Sequence, residues 1–129
     1  MTVALFFSNQ IIITNMNIVI TISKTIPWEE YEKELKAVED GTQQMNYRVA
    51  AIPKNTKVGE RCYLLYDGYI RGWMTITDMG TLKDGFDCTT TQEHWRPGNY
   101  ICRSGKFHYL KNPVKMKGFR GYRYIDDID

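Results

Sequence analysis

Residues 61–77 read RCYLLYDGYIRGWMTIT. Two arms rich in Tyr, Leu, Ile, Trp and Thr flank Asp67-Gly68. An Asp-Gly pair between β-forming arms is a strong hairpin signal, because both turn residues must take positive φ and these two residue types tolerate it. The stretch therefore predicts two antiparallel strands. Strict alternation along the second arm puts Ile70, Met74 and Ile76 on one face and Arg71, Trp73 and Thr75 on the other.

Upstream, NIVITIS at 17–23 alternates and is β-branched, which predicts a first strand. KTIPWEEYEKELKAVEDG, at 24–41, reads as a helix. Pro27 suits its first position, Glu29 and Glu30 its positive dipole end, and Gly41 its termination. Trp28, Tyr31, Leu35 and Val38 recur at helical spacing as one apolar stripe. NYRVAAI at 46–52 predicts another strand, followed by a loop at 53–60. Downstream, 78–98 reads as a long polar connection. NYICRSGKFHYL at 99–110 predicts a second hairpin turning at Ser104-Gly105. A crossover at 111–118 leads to a last strand, FRGYRYI, at 119–125. In that strand Phe119, Gly121, Arg123 and Ile125 share one face, and Arg120, Tyr122 and Tyr124 the other.

The chain has 129 residues, 43% of them apolar and 13% aromatic, which suits one core. Residues 16–129 are expected to form that single domain. Residues 1–15 carry no charge but are interrupted by Ser8, Asn9, Gln10, Thr14 and Asn15; they read as an N-terminal extension or an upstream start, not a membrane span or signal peptide. No membrane association is expected. The odd, scattered cysteines Cys62, Cys88 and Cys102 read as reduced thiols of a cytoplasmic protein.

The net charge of +2 conceals an asymmetry. Residues 28–40 hold six acids and two lysines, whereas 94–125 hold eight Arg and Lys and no acid. Those cations (Arg96, Arg103, Lys106, Lys111, Lys115, Lys117, Arg120, Arg123) alternate with aromatics, a combination that can attract phosphates and stack bases. The strand pattern assigns part of those aromatics to the core. Cys88, His94, Cys102 and His108 lack the spacing of a zinc module, so no metal or cofactor is expected. No nucleophile elbow or phosphate loop is present. The paired acids at 126–129 read as a solvated tail.

Three blocks together, TISKTIPW at 21–28, KVGERCYLLYDGYIRGWMTI at 57–76 and GNYICRSGKFHYLKNPVKMKGFRGYRYI at 98–125, resemble the PUA-like superfamily, which includes the ASCH and EVE domains. The likeness covers about residues 16–126. It implies an α+β, mostly β fold, a pseudobarrel of about six strands with one flanking helix after the first strand, whose last strand returns near the first. It further implies binding of RNA, single-stranded DNA or a modified nucleotide in a cleft beside the helix. Ser23, Lys24, Arg48, Trp73, Arg120, Tyr122 and Arg123 are the expected contacts. Phosphates would meet Lys24, Arg48, Arg120 and Arg123, and a base would stack on Trp73 or Tyr122. Some ASCH members hydrolyse modified nucleosides, which would place Lys24 and Thr25 in a catalytic site; SKTIPWEEYEKE lacks the glycine that precedes the lysine in that pattern. An interaction module using the 78–98 loop is the third reading.

Overall fold

The computed structural model describes residues 16–41, 43–83, 86–87, 94–95 and 97–128, without the side chains of 86–87 and 94–95. The N-terminal extension, Cys88 and Arg96 lie outside the described residues. The elements are β1 (Asn17–Ile22), α1 (Trp28–Glu39), β2 (Met45–Val49), β3 (Arg61–Tyr66), β4 (Tyr69–Leu82), β5 (Phe86–Asp87), β6 (His94–Trp95), β7 (Gly98–Lys115) and β8 (Tyr122–Ile125). Six of the strands form one sheet in the order β2-β7-β4-β3-β1-β8, and β5 pairs with β6 as a separate two-stranded ribbon. The fold is thus mostly β with one helix after the first strand, as expected.

β1 runs parallel to β3, with α1 in the connection, and antiparallel to β8. All other pairings are antiparallel. The sheet curls until its two edges approach: the Tyr47 hydroxyl on β2 donates to the Gly121 carbonyl just before β8, at 3.3 Å. Its concave side holds the larger core. There Ile18, Ile20, Cys62, Leu64, Met74 and Ile76 meet Tyr31, Leu35 and Val38 of α1. The predicted helical stripe is the buried face of α1. Pro27 occupies the N-cap rather than the first helical position, and Gly41 ends the helix at φ 81°. The convex side carries a second cluster around Val19, Tyr63, Leu65, Ile70 and Leu110. β3 is buried on both faces because it lies between β1 and β4 with a core on each side.

The 61–77 hairpin forms as read. Asp67 (φ 49°) and Gly68 (φ 83°) make its turn, both in the left-handed region that such a turn requires. The facing of its second arm differs from simple alternation. A register irregularity between Ile70 and Gly72 moves Ile70 to the convex cluster, while Met74 and Ile76 stay in the concave core. Gly72 sits under the Phe107 ring: a Cβ there would lie 2.5 Å from Phe107 Cζ and closer still to the His108 carbonyl oxygen.

The second predicted hairpin does not form. β7 runs unbroken from Gly98 to Lys115, and Gly105 (φ 83°) marks a bulge between Ser104, opposite Thr75, and His108, opposite Trp73. β4 is long enough to pair with both halves of β7, so the chain continues where a Ser-Gly turn was expected. The stretch from residue 78 is likewise not all connection. Residues 78–82 continue β4 and pair with 98–102, and the β5–β6 ribbon occupies part of the remainder.

The last strand is shorter than predicted and starts at Tyr122, after Gly121 at φ 73°. Tyr122 and Tyr124 pack, half-buried, against the concave core, whereas Arg123 is exposed on the convex side with its guanidinium 4.4 Å above the Phe119 ring. The terminal acids are not simply a solvated tail. Tyr63 Oη both donates to the Ile128 carbonyl and accepts from the Ile128 amide, each at 2.9 Å, and Asn17 Nδ2 donates to Asp127.

Candidate functional site

Where β1 ends, Ser23, Lys24 and Thr25 turn the chain toward α1. The Ser23 and Thr25 hydroxyls are 2.8 Å apart, and the Thr25 amide donates to Ser23 Oγ at 3.2 Å, so the turn is held by its own side chains. Facing it is the Asp67-Gly68 turn of the β3–β4 hairpin. The parallel β1–β3 pairing brings Ile22 beside Tyr66 and so sets the two turns side by side. Gly118 of the crossover closes a third side, and the neighbouring Phe119 amide donates to Thr21 Oγ1 at 3.2 Å. Together Thr21–Thr25, Asp67, Gly68 and Gly118 line an open groove of about 460 Å³.

Lys24 Nζ lies 3.4 Å from Asp67 across the groove, with both side chains largely exposed. In water such a pair is worth at most about 1 kcal/mol, so it yields readily to a stronger anion. The basic crossover passes the same rim. Lys115, Lys117 and Arg120 are exposed on either side of Gly118, and the Met116 amide is tied to the Gly68 carbonyl at 2.9 Å. A shallow groove with hydroxyls on one wall, backbone on another and cations at its edge is suited to a phosphodiester or nucleotide anion.

The expected contacts divide. Ser23 and Lys24 line this groove, and Arg120 stands two residues from Gly118. Arg48 is elsewhere, on β2. It lines a second groove of about 340 Å³ with Val49, Ala50, Gly98 and Asn99, and its Nη2 donates to the Pro97 carbonyl at 3.4 Å. Trp73 is on the convex face. Its ring stacks on His108, with centroids 4.0 Å apart, and carries the Arg61 guanidinium at 4.2 Å. Tyr122 points to the concave side against Tyr124, their centroids 5.6 Å apart, and burial raises its phenol pKa. The groove thus gathers Ser23 and Lys24, has Arg120 close along the chain from its Gly118 wall, and leaves Arg48 and Trp73 apart.

The sequence reading missed Asp67 as a partner for Lys24. The signal was available, since a tight Asp-Gly turn exposes its acid, but only the parallel pairing of β1 with β3 shows where that acid points. Arg103 was grouped with the surface cations and is instead 3% exposed in the concave core.

Among the described residues no three His, Cys, Asp or Glu side chains come together as a metal site, and no helix is long and apolar enough to cross a membrane. Cys62 and Cys102 are buried free thiols. Burial pushes the Cys62 thiol from its ordinary 9.0 up to about 11, against a weaker opposing pull from Arg103. A thiol whose pKa is higher in the folded state favours folding while it is protonated. That contribution is complete below about pH 9 and is lost as pH climbs from 9 to about 11. The expected result is a melting temperature that falls over this alkaline window, and less steeply in Cys62→Ala. At pH 8 iodoacetamide should leave Cys62 unmodified until denaturant is added; rapid labelling of the folded protein would contradict the burial.

No family model matches the chain, and no curated protein or solved structure matches it either.

Proposed function

We propose that the protein is a PUA-like domain that binds single-stranded nucleic acid or a modified nucleotide in the groove lined by Ser23, Lys24 and Gly118. The observation that carries this reading is the meeting of that groove with the basic crossover, where Lys115, Lys117 and Arg120 are exposed around Gly118. The element order, with β8 laid against β1 and the groove at the start of α1, supports the likeness to that superfamily. Among the described residues, the free thiols Cys62 and Cys102 fit a reducing, cytoplasmic setting. Lys24 releases Asp67 and takes a phosphate oxygen, Arg120 takes a neighbouring phosphate, and the Ser23 and Thr25 hydroxyls donate to the sugar-phosphate backbone.

Fluorescence anisotropy with labelled RNA and DNA oligonucleotides, at two salt concentrations, tests this. Lys24→Gln and Arg120→Gln should each weaken binding about three- to tenfold and reduce the salt slope by about one. Arg48→Gln should leave binding unchanged. Wild-type protein without salt-dependent binding to either polymer or to nucleotides would end the reading. The hydrolase alternative uses Lys24 and Thr25; release of free base or acid from acylated nucleosides, lost in Lys24→Gln, would replace binding with turnover.

A further inference from the structure

Arg103 lies mid-strand on β7, opposite Met45 of β2 and Ile76 of β4, and shares the concave side with Ile101. A guanidinium stays protonated in any folded protein, so this is a permanent positive charge in the core. Buried charges are ordinarily matched by an opposite charge. Among the described residues the ion pairs are Lys24–Asp67 and Lys33–Glu30, and Arg103 belongs to neither. Arg103 Nη1 donates to the Tyr31 hydroxyl at 3.5 Å and the guanidinium also engages the Cys62 thiol, whereas Arg103 Nε has no hydrogen-bond partner.

The neighbours do not supply the missing charge. Burial pushes both the Tyr31 phenol and the Cys62 thiol above their ordinary values, so both are neutral at physiological pH. Cys102, on the opposite side of β7, is raised by burial as well and donates to Gln44 at 3.1 Å. Glu34, the carboxyl on the adjoining turn of α1, is half-buried and makes no ion pair with Arg103; burial and Glu30 raise its pKa, against a weaker opposing pull from the Arg103 charge. The Tyr31 hydroxyl directs its own proton to Met45 Sδ at 3.7 Å, a weak acceptor. One guanidinium N–H without an acceptor and a phenol whose proton goes to a thioether therefore meet in the buried core.

We infer that the concave core at Arg103 is a binding site for a small anion, of chloride or carboxylate size. The anion takes the orphaned Arg103 N–H, and Tyr31 turns its hydroxyl from Met45 toward it as a second donor. The Met45 side chain is the flexible wall that makes room. This site is separate from the Ser23–Gly118 groove and stands whether or not that groove binds nucleic acid.

The test uses the full chain, exchanged into gluconate at constant ionic strength and melted while chloride or acetate replaces gluconate. The expected result is a saturable rise of several degrees with either ion, following the law of mass action. Arg103→Met, of similar reach and uncharged, should fold and show no rise. Tyr31→Phe should shift the half-saturating concentration upward several-fold. Chloride-35 line broadening on wild-type protein, displaced by acetate, gives a second readout that does not depend on a variant folding. An equal rise in wild type and Arg103→Met, or no rise together with no excess broadening, would overturn the inference. Response to phosphate but to neither small ion would overturn the size assignment and with it the site.

Discussion

Gly72→Ala is expected to lower stability by about 3 kcal/mol or more and the melting temperature by on the order of 10 °C. The added methyl would meet the Phe107 ring at 2.5 Å and press on the His108 carbonyl, and both neighbours are held by the β4–β7 pairing. A ring can turn aside; a backbone carbonyl in a ladder cannot move without breaking its hydrogen bonds. The effect therefore has two parts, which Phe107→Ala can separate. In that background the ring clash is gone and the carbonyl clash remains, so Gly72→Ala should cost less but still cost. Urea denaturation of the four-member cycle measures this, and a stability loss below about 0.5 kcal/mol for Gly72→Ala alone would show that the strand approach at Gly72 is wrong.

Removing residues 126–129 should have the next largest effect, about 2 kcal/mol. The truncation strips Tyr63 of its two backbone partners at Ile128, frees Asn17 from Asp127, and uncovers the convex cluster that Ile128 packs against. Tyr63→Phe should destabilise the full chain by about 1 kcal/mol and the shortened chain less, because there the hydroxyl keeps only the Arg61 guanidinium as a partner. An unchanged melting temperature on truncation would return these residues to the role of a solvated tail.

The elements legible in the sequence were those specified by local chemistry. Asp67-Gly68 has one comfortable conformation between β-forming arms, and Trp28, Tyr31, Leu35 and Val38 repeat at a helical period, so hairpin and helix follow from neighbours alone. Ser104-Gly105 carries a similar local signal and gives a bulge instead. Whether a glycine at positive φ reverses a strand or kinks it depends on the strand beside it, and β4 extends to Leu82 to receive both halves of β7. The placement of β8 beside β1 came from family resemblance rather than from any residue. At the candidate groove, the Ser23–Lys24 turn and the basic crossover could each be read, but Asp67 enters only through the β1–β3 pairing. Arg103 had a readable sign: it keeps step with Ile101 on an alternating strand, which predicts an inward side chain despite its charge.

The pairing of Asn17–Ile20 with Tyr122–Ile125 has a consequence for synthesis. As the ribosome releases the chain, β1 emerges about a hundred residues before its outer neighbour β8. Until then its outer backbone edge is open, and the β3–β4 hairpin, complete some forty residues earlier by chain position, offers a sheet it can join. A nascent chain paused before residue 122 would thus present an unprotected strand edge, the feature that invites pairing with another chain. Emergence of residues 122–125 both completes the sheet and covers that edge.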